Sequence, residues 1–195
     1  MWKSPPAKKF PTPKAQLRMP LLGRRHFLAG AGASLFVPRQ AFATDAGVRR
    51  LAFDNIHTGE KLKIEYWAEG QYLQDALAQV NHVLRDFRTG EVHPIAPQLL
   101  DLLSVLRARL ETSEPVGVIS GYRSPKTNAM LRGEHEHSGV ASKSLHMQGK
   151  AIDIRIAGRS LAAVHAAALV QRRGGVGCYP KSDFVHVDVG RVRAW

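Results

Sequence analysis

The chain has a single cysteine in 195 residues, no apolar run long enough to cross a bilayer, and no acidic residue among its first 43. Each absence excludes something. A lone Cys178 rules out an intramolecular disulfide, so the fold must be held by its core or by a metal. A buried structural thiol is the better reading of Cys178 than a nucleophile. The apolar run from Phe27 to Val37 falls short of the roughly 18 residues that a membrane span requires. The missing acids explain a net charge of +12. Eight of the 28 basic residues lie within residues 1–43, which leaves 20 against 16 acidic residues in the remainder. The basicity therefore belongs to a leader rather than to a nucleic-acid-binding face, and a nucleic-acid partner is not expected.

That leader contains Arg24-Arg25, then the short Ala/Gly-rich apolar run, then Ala41-Phe42-Ala43 as a small-x-small cleavage site. Paired arginines before such a run resemble a twin-arginine export signal. Residues 1–43 are thus expected to be a signal and 44–195 a single domain that works in the periplasm, with Met19 as an alternative start.

A hydrophobic content of 44% is enough for one domain with its own core. Residues 48–67 predict a hairpin. Leu62, Ile64 and Tyr66 alternate with Lys61, Lys63 and Glu65, and Thr58-Gly59 supplies the turn. Spacings of three and four predict two core helices, one over Leu73, Ala76, Leu77, Val80, Leu84 and Phe87, the other over Leu99, Leu102, Leu103, Leu106 and Leu110. Strands are expected at 116–120, 150–156 and 184–189, and helices at 125–132 and from Ser160 to about Arg172. Gly174, Gly175 and Gly177 are expected to form a turn. Strands and helices do not alternate regularly. The expected class is α+β, a small antiparallel sheet with the chemistry on one face and helices on the other.

The period of two along a strand locates that chemistry. In 150–156, Ile152, Ile154 and Ile156 share one face, so Asp153 points to the other. In 184–189, Val185, Val187 and Val189 share a face, so His186 and Asp188 lie opposite. If the two strands are neighbours, Asp153 and His186 converge, and His146 at the start of the first strand can join them. Two imidazoles and a carboxylate leave a fourth position open, the arrangement of catalytic zinc rather than of closed structural zinc. A carboxylate must then take a proton from water. Asp183 is the natural candidate, and Asp188 competes with it as base or as ligand. The bland alternative is hydrogen-bonded strand residues with no metal. His57, His82, His93 and His165 read as surface or packing residues, and His135 and His137 as part of a solvated loop.

Three segments in order, SGYRSPKTN (120–128), SLHMQGKAIDIRI (144–156) and DFVHVDVG (183–190), resemble the zinc D-Ala-D-Ala peptidases of the group that also contains lysostaphin and the hedgehog signalling domain. Within that group the resemblance is to exported murein endopeptidases of the MepK type. Ser144, His146, Gly149, Ala151 and Asp153 match the pattern Ser-x-His-x-x-Gly-x-Ala-x-Asp, and the likeness runs over roughly 48–195. It implies Zn2+ held by His146, Asp153 and His186. It implies that Arg123 contacts the substrate and helps polarise its carbonyl, the alternative being a structural arginine tied to a carboxylate. It also implies that Ser144 orients the substrate site through a hydrogen bond. Members of the family commonly carry Glu three residues before the last ligand, where this chain has Asp183. The implied activity is zinc-dependent hydrolysis of amide bonds in peptidoglycan cross-links. D-Ala-D-Ala carboxypeptidase activity and a non-catalytic, zinc-stabilised cell-wall-binding module are the alternatives.

Overall fold

The computed structural model describes residues 47–133 and 140–195, so the leader and the His135/His137 loop lie outside the described residues. β1 (Val48–Asn55) and β2 (Lys61–Ala68) form the expected antiparallel hairpin, with Leu51 opposite Ile64 and Phe53 opposite Leu62. Buried Asn55 closes its loop: the side-chain oxygen accepts from the N–H groups of His57 and Thr58, while its amide donates to the Val83 carbonyl. A two-residue β3 (Gln71–Tyr72) extends the edge.

α1 (Gln74–Val83) and α2 (Pro97–Arg109) supply the apolar cover, with Pro97 suited to the first helical turn. The periodicity through Phe87 overshoots the helix. α1 stops at Val83, Leu84 still packs in the core, and the chain turns there. Phe87 instead stacks on His57 at 3.9 Å between ring centroids.

β4 (Val116–Ser120), α3 (Pro125–Gly133), β5 (Ala151–Ile156) and α4 (Leu161–Gln171) fall where the sequence places them. Ser160 caps α4 by accepting from the Ala163 N–H. The expected glycine turn is a strand instead, β6 (Gly175–Tyr179), which pairs with β7 (Phe184–Asp188) and with a short β8 (Arg193–Ala194). Its glycines serve close approach rather than chain reversal. A Cβ on Gly177 would sit 2.6 Å from the Trp195 ring.

The fold is α+β, with eight strands among the described residues in the order β3-β2-β1-β4-β5-β7-β6-β8. The sheet is mixed, since β1/β4 and β6/β8 run parallel while the other pairs are antiparallel. Val118, Ile152, Ile154, Val185 and Val187 join the leucines of α2 in one core. Burial of these side chains contributes on the order of 1.5–3 kcal/mol each. Because that face is spent on packing, the opposite parity of β5 and β7 is free for polar side chains.

Candidate metal centre

Strand register does what parity alone does not. Asp153 on β5 lies directly opposite His186 on β7, with Ile152 opposite Val187 and Ile154 opposite Val185. On the other side of β5, an irregularity between Val118 and Ser120 brings Ser120 opposite Asp153 and starts the segment that carries Arg123. His146 comes from a 3-10 turn, Leu145–Gln148, capped by Ser144, whose hydroxyl accepts from the His146 N–H at 3.3 Å. Gly149 ends the turn at φ +62° and lies so close to the Pro94 carbonyl that a Cβ would collide with it. The glycine of the sequence pattern is therefore a backbone requirement.

His146, Asp153 and His186 are all buried, and their ligand atoms lie within 4.8 Å of one another. Their hydrogen bonds reveal which atoms face inward. His146 Nδ1 is 2.7 Å from the Gly121 carbonyl, which can only accept, so Nδ1 carries the proton and Nε2 a lone pair. Both nitrogens of His186 face carboxylates, Nε2 that of Asp188 at 3.1 Å and Nδ1 that of Asp153, and with the proton on Nε2 the lone pair of Nδ1 is turned to the centre. These two nitrogens are 3.2 Å apart, and Asp153 Oδ1 lies 2.8 Å from His186 Nδ1 and 3.2 Å from His146 Nε2. With both imidazoles neutral and protonated at their outer nitrogens, three acceptors point at one another, an arrangement that suits a cation.

The electrostatics agree. Burial opposes the charge on Asp153, but the two histidines outweigh it and hold its carboxyl below the usual range. Burial also lowers the pKa of His186, and Asp153 and Asp188 more than reverse that. The centre attracts positive charge.

Arg123 reaches the same place. Its Nη2 lies 3.4 Å from Asp153 Oδ2 and donates to the Ser120 hydroxyl at 3.3 Å, while its N–H donates to the His146 carbonyl. Its buried Nε has no partner among the described residues, so one donor of the fork is unspent. Burial lowers its pKa, against the pull of Asp153. Arg123, Ser144 and the three metal-competent residues line one cleft of about 280 Å³, with Lys143, Tyr179, Phe184 and Trp195 on its walls.

The two remaining carboxylates part company. Asp188, the competitor, is wholly buried and fully bonded, to the N–H groups of Gly175 and Gly190, to Arg193 and to His186. It meets the outer nitrogen of His186 and is not one of the three metal-competent groups that converge. Asp183 sits just before β7 in a left-handed conformation (φ +51°), and its side chain is 67% exposed, 3.8 Å from Arg155. The structure gathers His146, Asp153, His186, Arg123 and Ser144 in one cleft, and Asp183 is not among the residues that line it. A larger groove of about 490 Å³ is lined by Asp183 and Arg155 and holds none of the three metal-competent residues. Sequence reasoning missed Trp195, whose ring centroid is 5.3 Å from that of His186, and Arg193. The RVRAW segment has no spacing signal that points to either.

Comparison with known proteins gives a consistent picture. The family model described as "Peptidoglycan L,D-endopeptidase MepK" matches residues 43–195. Peptidoglycan L,D-endopeptidase MepK of Escherichia coli (strain K12) is 45% identical over 177 residues, which is 88% of this chain and 96% of that protein. The corresponding protein of Shigella flexneri matches to the same extent. The probable peptidoglycan L,D-endopeptidase MepK of Haemophilus influenzae is 43% identical over 148 residues, 75% of this chain and 78% of the relative.

Proposed function

From the premise that this chain belongs to the family of MepK-type peptidoglycan L,D-endopeptidases, we propose that it is a zinc peptidase that hydrolyses amide bonds in murein cross-links. The observation that carries the reading is the convergence of His146 Nε2, His186 Nδ1 and Asp153 Oδ1, three acceptors in want of a cation. Two neutral nitrogens and one carboxylate oxygen suit zinc, and three protein ligands leave a position for water or substrate. Zinc held there supplies a Lewis acid and an acidified water.

The chain's own residues do the rest. Arg123, always charged and with an unspent N–H, holds the substrate carbonyl oxygen as negative charge builds on it. Its tie to Asp153 keeps the guanidinium at the centre without exhausting its donors. Ser144 acts through the backbone, fixing the turn that presents His146. Asp183 takes the proton from the attacking water at a side-chain oxygen and passes it to the leaving amine. It stands three residues before His186, and its long, exposed contact with Arg155 is weak enough to exchange for the cleft. Asp153 is the one carboxylate lining the cleft among the described residues, and it is taken as a ligand.

Arg123 and Lys143 give the cleft cations suited to the free carboxylates of stem peptides. An L,D bond, as in a direct diaminopimelate–diaminopimelate cross-link, is the proposed scissile bond, and release of terminal D-Ala is the less favoured reading. The twin-arginine-type segment supports export to the periplasm.

Purified sacculi digested with the zinc-loaded protein should release cross-link-cleaved muropeptides identifiable by mass. Equal digestion by chelator-stripped protein would refute the metal reading. Asp183→Ala should retain zinc and lose turnover by roughly 10²–10⁴-fold. A variant that kept its turnover would remove Asp183 as the base. A binding module would bind murein without changing it.

A further inference from the structure

The RVRAW segment, residues 191–195, plays no part in the activity described so far, yet it touches the centre. Asp188 lies two residues beyond His186 on the same face of β7, entirely buried. Its Oδ1 accepts from the N–H groups of Gly175 at 2.9 Å and Gly190 at 2.8 Å, and from Arg193 Nη1 at 3.2 Å. Its Oδ2 faces His186 Nε2 at 3.1 Å and otherwise has Arg193 Nη2, at 2.6 Å. The backbone anchors one oxygen. The orientation of the other, the one that meets the imidazole, depends on Arg193.

The arginine is itself well seated. Its Nη1 donates to the Arg191 carbonyl at 3.1 Å, and its guanidinium lies 4.8 Å from the centroid of the Trp195 ring. β8 holds it beside β6, where the missing Cβ of Gly175 leaves room for both Arg193 and Asp188. A planar fork closed on two carboxylate oxygens is among the most directional contacts a protein can make.

We propose that Arg193 is a positioning residue for the metal centre: by clamping Asp188 it aims that carboxylate at His186 Nε2, and so turns the bare Nδ1 of His186 toward Asp153 and His146. The inference rests on the reading of those three residues as a zinc site. Carboxylates that hold the far nitrogen of a ligating histidine tune metal affinity by roughly 10- to 100-fold. Arg193 holds such a carboxylate from behind.

The test uses the full chain, with zinc affinity measured by competition against a chromophoric chelator and site geometry by the visible spectrum of the cobalt(II) form. Wild-type protein should bind one zinc. Should it bind none, the metal reading itself falls. Arg193→Ala should weaken zinc binding by roughly 10- to 100-fold and change the cobalt spectrum, with far-UV circular dichroism retained. Arg193→Lys should lie between, because one ammonium cannot span both oxygens. Arg191→Ala should match wild type. In the Asp188→Asn background, Arg193→Ala should add little further loss, since the partner it acts through is gone. Wild-type zinc affinity in Arg193→Ala, or losses that multiply in the double variant, would overturn the proposal. If Arg193→Ala failed to fold, Arg193→Lys would decide by the same comparison, and wild-type affinity there would likewise overturn it.

Discussion

Two carboxylates toward opposite ends of the sheet are each held by an arginine, Asp101 at one oxygen and Asp188 at both, and they end in different settings. Asp101 on α2 accepts from Arg49 Nη1 at 2.7 Å, from the Tyr66 hydroxyl at 3.1 Å and from the Tyr72 hydroxyl at 2.7 Å. Asp188 on β7 accepts from Arg193, from two backbone N–H groups and from His186. The difference lies in the last partner. A phenol has one polar atom, so nothing is relayed through its ring, and beyond the phenols the Asp101 cluster reaches Ser104, at the Tyr66 hydroxyl. Burial, then Asp101, raises the pKa of Tyr72, which stays a donor across the physiological range. An imidazole has two polar atoms, so the constraint on its Nε2 is passed to Nδ1 and on to Asp153 and His146. An arginine-held carboxylate meets only hydroxyls at one end and an imidazole of the candidate metal centre at the other.

The sharpest way to break this comparison is at the ligands. His186→Ala, or removal of the metal by a chelator, should abolish muropeptide release, whereas Asp101→Asn should leave release at the wild-type rate. A large loss of turnover in Asp101→Asn would mean that the two ends are coupled. Next in size is Arg123→Lys. Losing the unspent Nε–H proposed to hold the carbonyl should reduce kcat by about 10²-fold or more, with zinc content unchanged.

Asp86 offers a third carboxylate, lodged behind Arg123. Burial pushes its pKa up, but hydrogen bonds from Thr127, from Ser124 and from the Arg88 N–H prevail and hold it at about 2. A native value below the ordinary one, near 4, means that Asp86 stabilises the fold fully above about pH 4. That contribution is lost as the pH falls through about 2. Asp86→Asn should therefore be less stable than wild type at pH 7, and the gap should close between about pH 4 and 2 in denaturant titrations. A gap that did not vary with pH would contradict this. Because Asp86 also accepts the Ser124 N–H, next to Arg123, turnover should fall as well. The smallest effect is expected for Tyr72→Phe, a loss of about 1 kcal/mol in chemical denaturation with activity intact.

How far the sequence could be read depended on the range of the interaction involved. Hairpin, helices and the strands at Val116, Ala151 and Phe184 follow from periodicities of two and of three to four, which are local properties. β6 was hidden because its glycines look like turn residues. Close contact of Gly177 with Trp195, and of Gly175 with Arg193 and Asp188, accounts for them. In one dimension Asp183 is the natural candidate for the base and Asp188 its competitor. In three, the backbone buries Asp188 among donors and leaves Asp183 beside Arg155 at the surface. Arg193 was not legible at all, since nothing in its neighbours' identity says that the chain turns back to Asp188.

The sequence by itself determined the faces. Ile152, Ile154 and Ile156, with Val185 and Val187, must pack inward, so Asp153 and His186 must each point to the other face of its strand. Tertiary structure alone decided register, tautomer and support. Asp153 meets His186 because strands 33 residues apart pair in that alignment. The nitrogens that face inward do so because Gly121 and Asp188 occupy the others. Side-chain alternation is fixed within a few bonds of each residue. The pairing of distant strands and the protons on an imidazole depend on partners that only the folded chain brings near.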